Sequence, residues 1–197
     1  MSILIDKLPN SVVIDGMEYA INSDFRTSIQ FEILMCRNDI DKAEKLSNGL
    51  ILYYPIIPAN VLEAIEKIMW FYSCGKDNNV ANNNENVNIN KIYDYNYDDD
   101  YIFSAFISQY RIDLNSIDYL HWWKFKAMFK ALNEDNKIVK IMEYRSMDIS
   151  KIKDKGQKDF YRKMKKIYEI PMPKEERQKL DEINNILLNG GDISKIL

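Results

Sequence analysis

The sequence predicts a mainly α protein: a single-domain helical bundle over residues 1–197, with about seven to eight helices and a short N-terminal β-hairpin. Three observations carry this expectation. Only 6 Gly and 5 Pro interrupt 197 residues, leaving most of the chain free to be helical. Apolar residues recur at helical spacing from Ile102 to Leu132. Near the start, Asp15–Gly16 separates two short apolar runs and is the strongest two-residue hairpin signal. A balance of 46% hydrophobic and 29% charged residues is that of a globular chain long enough for a core.

The elements follow in order. Ser11–Ile14 and Met17–Ile21 are the expected hairpin strands, which must pack on helices because an isolated hairpin is marginal in water. Asn22, Ser23 and Asp24 offer cap oxygens before a helix over Phe25–Cys36, whose stripe is read as Ile29, Ile33 and Cys36, joined by Phe25 and Leu34. A second helix is expected over about Ile40 to Leu52, weakened in its middle by Asn48–Gly49. Pro55 and Pro58 reset the chain, and Pro58 suits the first turn of the next helix. There Val61, Ile65, Ile68 and Tyr72 share a face beside Leu62 and Met69, with Gly75 as the residue that ends the helix. The Asn-rich stretch Asp77–Asn90 reads as a flexible surface loop within one domain.

Beyond it, Ile102, Phe103, Phe106, Ile107 and Tyr110 form one apolar face. A helix over about Ser116–Leu132 carries Trp122, Phe125, Phe129 and Leu132 on one stripe, with Leu120, Trp123, Ala127 and Ala131 nearly closing the other side. Such a helix is expected at the centre. Ile138, Ile141, Met142 and Arg145 mark a shorter helix; Phe160, Met164, Ile167 and Tyr168 mark another, ended by Pro171 and Pro173. The last expected helix runs from about Lys174 to Leu188, stopped by Gly190–Gly191.

Charge and cysteine usage narrow the function classes. A net charge of −3 supplies no bulk attraction to nucleic acid or acidic membranes. The charge is divided, however: residues 1–100 hold 8 Lys and Arg against 16 Asp and Glu, and the remainder holds 19 against 14. Such asymmetry reads either as two differently solvated halves or as a basis for head-to-tail self-association or a charged partner. Cys36 and Cys74 lie far apart without a CxxC, so buried free thiols are expected and the ligand inventory is too small for zinc. The chain opens without a signal-peptide pattern and has no apolar run of about 18 residues, so neither secretion nor membrane spanning is expected.

Four constellations invite chemistry. Asp98, Asp99 and Asp100 offer hard-cation ligands but lack EF-hand spacing, so the preferred reading is carboxylates favoured at a helix N-terminus. His121 has no identifiable nucleophile or carboxylate motif around it, and Trp122 and Trp123 read as core residues, with a partner-binding anchor as the rival reading. Lys151–Lys166 is the one basic cluster; Asp154 and Asp159 interrupt it and Phe160, Met164 and Ile167 are expected to point inward, so a solvated face is preferred to nucleic-acid binding. No phosphate-loop, dinucleotide, metalloprotease or nucleophile-elbow motif occurs. The expectation is a non-enzyme with no catalytic residues, no metal site and no cofactor.

The early hairpin, the block EAIEKIMWFYSCGK (Glu63–Lys76), YDYNYDDDYIFSAFISQYRIDL (Tyr93–Leu114) and LHWWKFKAMFKAL (Leu120–Leu132) together resemble the bacteriophage "gene product fifteen" family of tailed phages and prophages of Gram-positive bacteria. Asp98, Asp99, Asp100, His121, Trp122 and Trp123 match its signature, and no catalytic role comes with them. The resemblance implies a tail-morphogenesis protein acting in the cytoplasm of the infected or lysogenic host. The first reading is a tail assembly chaperone that binds the tape-measure protein or other tail proteins. The second is a structural component retained in the virion, such as a connector or tail-completion ring, with homo-oligomer contacts. A DNA-binding regulator using Lys151–Lys166 is the third. The apolar C-terminal residues Ile186, Leu187, Leu188, Ile193, Ile196 and Leu197 are candidates for gripping a partner.

Overall fold

The computed structural model describes residues 2–76 and 91–171, together with Arg177 and Asn185. The Asn-rich stretch 77–90 and the C-terminal partner-binding candidates Ile186, Leu187, Leu188, Ile193, Ile196 and Leu197 lie outside the described residues. So does the expected last helix, save those two positions. Within the described residues the fold is mainly α, with one two-stranded antiparallel hairpin and seven α-helices.

Strands β1 (Ser11–Ile14) and β2 (Met17–Ala20) pair with Ile14 opposite Met17 and Ser11 opposite Ala20. Asp15 (φ 48°) and Gly16 (φ 76°) are both left-handed, the turn geometry that matches strand twist. Val12 and Ile14 are buried and Val13 faces out, as alternation demands. The turn is tied to the third helix, because Asn60 Nδ2 donates to Asp15 Oδ1 (2.9 Å) and the Asp15 amide donates to Glu63 Oε2 (3.1 Å).

Helix α1 (Phe25–Cys36) is capped by Asp24, whose carboxylate accepts the Arg26 amide. Its core face is Phe25, Ser28, Phe31 and Leu34. The expected stripe is therefore rotated: Ile29 and Ile33 are only partly buried, and Cys36 is exposed. Ser28 can face inward because its hydroxyl shares a 2.7 Å hydrogen bond with the buried Tyr53 hydroxyl. Helix α2 (Lys42–Tyr53) begins at the Asp41 cap. Gly49 lies against α1, where an added Cβ would stand 3.0 Å from the Phe31 ring. The residue expected to weaken the helix lets it approach its neighbour closely.

Helix α3 (Val61–Tyr72) starts from the Asn60 cap, which accepts the Glu63 amide; Pro58 is buried ahead of the cap and not in the first turn. Asn60 wins because it brings an acceptor oxygen, whereas proline only fixes φ. The buried positions are Ala64, Ile68 and Phe71, while Val61, Leu62 and Met69 are exposed, against expectation. Beyond the last residue, Ser73 is the C-cap and Cys74 (φ 58°) is the left-handed residue that follows it; Gly75 (φ 67°) comes next.

Helix α4 (Asp99–Tyr110) buries Ile102, Ala105 and Phe106. Helix α5 (Trp122–Lys130) is shorter than its apolar pattern suggests. A single bridge joins His121 to Asp24 just ahead of the two helices: Phe25 donates its amide to Leu120 O (2.8 Å) and Trp122 donates to Ser23 O (2.9 Å). Backbone groups committed to that pairing cannot also form helix, so α5 begins six residues late. Ala127 and Ala131 are exposed, so α5 presents one buried side and not a fully apolar girth. At the centre, Phe125 stacks on Phe25 (4.9 Å), Phe106 (5.0 Å) and Trp122 (5.8 Å).

Helix α6 (Lys137–Ser146) buries Ile138, Ile141 and Arg145. A 3-10 turn (Ile149–Lys151) leads to α7 (Lys155–Ile167), which buries no residue fully. Its contacts are with α6 and that turn, partly through Tyr144 against Phe160, Tyr161 and Tyr168. With a single layer to lie on, Phe160 and Ile167 remain about half exposed (48% and 52%), correcting the inward orientation expected of them.

Arg145 holds α6 to α4. Its guanidinium grips both carboxylate oxygens of the fully buried Asp98 (2.6 and 2.9 Å) and also donates to Tyr168 O (2.6 Å) and Ile92 O (3.0 Å). Asp98 further accepts the Asp94 amide (2.9 Å), so nearly every donor and acceptor of the pair is engaged. Removing the cation strands a buried carboxylate. Arg145→Ala is expected to lose about 3–5 kcal/mol in urea unfolding, against under about 1 kcal/mol were this a surface-type pair.

Candidate functional site

Segment 120–123 meets the end of α3, and its side chains complete helix termini. The last four carbonyls of a helix have no partner inside it. Here Met69 O accepts the Ser73 amide, Trp70 O the Gly75 amide, and Phe71 O the Cys74 amide. The Trp123 indole N–H adds a bond to Phe71 O (2.8 Å), and the Trp122 indole N–H serves Tyr72 O (2.9 Å). All four are satisfied. Gly75 permits this approach: a Cβ there would lie 2.8 Å from the Trp123 ring, which also packs edge-on against Trp70.

His121 caps α5. Its Nδ1 accepts the Trp123 amide (3.1 Å) and its Nε2 is 3.0 Å from Pro9 O, which fixes the neutral Nε2–H tautomer donating to that carbonyl. Both ring nitrogens are thus engaged by backbone. Burial pulls the imidazole below its ordinary pKa, against the upward pull of the Pro9 carbonyl, and Lys124 adds to the lowering. Neighbouring Asp24 accepts the Leu120 amide as well as capping α1, and Arg26 donates to Leu114 O and Ile117 O (2.8 and 2.7 Å).

Asp98, Asp99 and Asp100 are remote from this junction in role. Asp98 is the buried partner of Arg145, which local spacing did not reveal; Asp99 and Asp100 stand in the first turn of α4. Among the described residues no three of His, Cys, Asp and Glu gather as a metal-binding group. Cys36 is exposed, correcting its expected burial, while burial pushes the half-buried Cys74 thiol upward.

A partly buried polar cluster was not evident from the sequence. Tyr72 donates its hydroxyl to Glu32, and Lys126 Nζ lies over the Trp122 (5.0 Å), Tyr72 (5.9 Å) and Tyr93 (6.0 Å) rings. Burial lowers the Lys126 pKa against the opposing charge of Glu32, and raises that of Tyr93 to about 12. The available sequence signal was Lys126 four residues after Trp122, on the same helix face.

Two apolar grooves of about 400 Å³ open on the surface. One lies between the hairpin and α3, lined by Pro9, Val12, Val13, Glu66, Lys67 and Trp70. The other lies beside the start of α4, where Phe25, Ile29, Ile102 and Phe103 form the floor and Asp99 and Asp100 stand at the rim. Such grooves suit apolar side chains of another polypeptide.

Because His121 is the sole histidine, its titration is separable. The folded pKa lies below the unfolded value, so its contribution is complete above about pH 6.5 and lost as the unfolded chain takes up protons below that. Unfolding free energy is expected to fall from about pH 7 to 5.5, by no more than about 1.4 kcal/mol per pH unit. His121→Asn keeps a cap acceptor and should flatten that step. Equal pH dependence in both proteins would contradict the assignment.

No curated protein sequence and no solved structure matches the chain. The family described as Bacteriophage Gp15 protein does, over residues 4–170, spanning the hairpin, the seven helices of the described residues and both grooves. That membership supports a structural or morphogenetic role among other phage proteins. The chain belongs to the Bacteriophage Gp15 protein family.

Proposed function

We propose that this protein is a non-catalytic tail-morphogenesis factor, a chaperone that shields the tape-measure protein until tail-tube subunits assemble around it. The observation that carries the reading is the pair of open apolar grooves with charged rims on a largely helical scaffold. An amphipathic helix could place apolar anchors in such grooves while its charged face meets Glu66, Asp99 and Asp100. The family signature supports the same division of labour. His121, Trp122, Trp123 and Asp98 have their polar atoms engaged inside the protein, leaving recognition to the surface. No described helix is long and apolar enough to cross a membrane.

A retained virion component is the second reading, favoured by the opposed charges of the two ends of the chain. Co-expression with the tape-measure protein is expected to raise the soluble fraction of that partner and yield a co-eluting complex. Replacing Phe103 at the second groove with Asp should abolish co-elution while leaving the circular dichroism spectrum unchanged. Unchanged partner solubility with no complex would refute the chaperone role, and stoichiometric presence in purified particles would favour the virion component.

A further inference from the structure

The described surface carries two faces that complement one another and that belong to separate ends of the packing. The first is the outer side of α7. The stretch Lys151–Lys166 holds eight Lys and Arg against two Asp, and one of those acids, Asp159, is paired with Arg162 (2.9 Å). Phe160, Lys163 and Ile167 recur at i, i+3 and i+7, so a half-exposed apolar stripe is flanked by cations. The second face is the outer side of α3 with the hairpin. Leu62 (78% exposed), Glu66 and Met69 line one stripe of α3, and Val13 borders the groove that Glu66 helps to line. Asp15, Glu18 and Glu63 surround it, and its cation Lys67 is 3.8 Å from Glu63. One face is apolar and basic, the other apolar and acidic.

The packing keeps the two from meeting within one molecule. Helix α7 lies on α6 and the 3-10 turn, whereas α3 lies on α2 and β1. We propose that the occupant of the α7 face is the α3–hairpin face of a second copy of this chain, giving a head-to-tail contact that repeats. A contact joining two different patches generates a ring when its rotation closes and a filament when it does not. Charge complementarity argues for a second copy over duplex DNA or an anionic membrane. Those surfaces would use the lysines but leave the acidic apolar face without a role, and the net charge of −3 opposes them at long range. The α3–hairpin groove is one of the two offered to the tape-measure protein above, so a second copy seated there competes with that partner; sedimentation of the protein alone reads self-association without it.

Charge reversal on surface positions tests it. Sedimentation of the full chain at about 100 µM and low salt is expected to show species larger than the monomer. Raising salt to about 1 M, where the screening length is about 3 Å, should weaken association at least tenfold. K163E/K166E and E18K/E66K should each sediment as monomers with unchanged circular dichroism. Mixed together they should associate again, because each supplies the charge that the other now needs. A monomeric wild type at low salt, assembly that survives both reversals, or a mixture that stays monomeric overturns the proposal. So does assembly that requires added duplex DNA or vesicles of anionic lipid.

Discussion

The structure depends on the constraint that helix ends may not be buried with their backbone groups unpaired. The ends of α1, α3 and α5 meet in one region, and a single short segment, 120–123, resolves them together. Leu120 and Trp122 pair their backbones with the entry to α1, His121 caps α5, and the two indoles complete the exit of α3. Each such bond contributes only about 0.5–1.5 kcal/mol net, but leaving a buried carbonyl unpaired costs about 1–3 kcal/mol. The tryptophans therefore act twice, as large buried surfaces and as donors to the last turn of α3, Trp122 serving Tyr72 O and Trp123 adding to the Cys74 amide at Phe71 O. A phenylalanine in either position would keep much of the first role and forfeit the second.

The same logic extends to the ion pair between Asp98 and Arg145. Desolvating two charges costs several kcal/mol for each, so the pair is tolerable only because its lone pairs and N–H groups are nearly all committed. Arg145 reaches four acceptor atoms on three residues, Ile92, Asp98 and Tyr168, which makes it a geometric fixture of the α4–α6 contact. In contrast, α7 is held by tyrosine ring contacts at its edge and buries nothing fully. Burial thus thins from the capped junction to α7.

Local features were legible wherever a local rule governed them. The Asp15–Gly16 turn and the Phe25–Cys36 helix follow from a turn dipeptide and a cap residue, and both elements have the bounds those signals imply. The start of α5 was not legible. Leu120 belongs to an apolar helical pattern, yet its backbone is claimed by Phe25, which lies far away in sequence. Arg145 shared a stripe with Ile138 and Ile141, which marks it as inward, but its carboxylate partner stands on another helix. Helical faces were misjudged by a fraction of a turn where polar groups enter the core, as Ser28 does. Trp122 and Trp123 read as core residues from their type and spacing; the carbonyls they serve could be found only in three dimensions.

The placement of the indoles also sets what light can report. All three tryptophans of the chain, Trp70, Trp122 and Trp123, stand at the seam between α3 and α5, and two of them lie with ring centres 5.6 Å apart. Tryptophan emission from this protein is therefore the signal of one location and not an average over the molecule. Tryptophan fluorescence would register the parting of that seam while remaining blind to the loosening of α7.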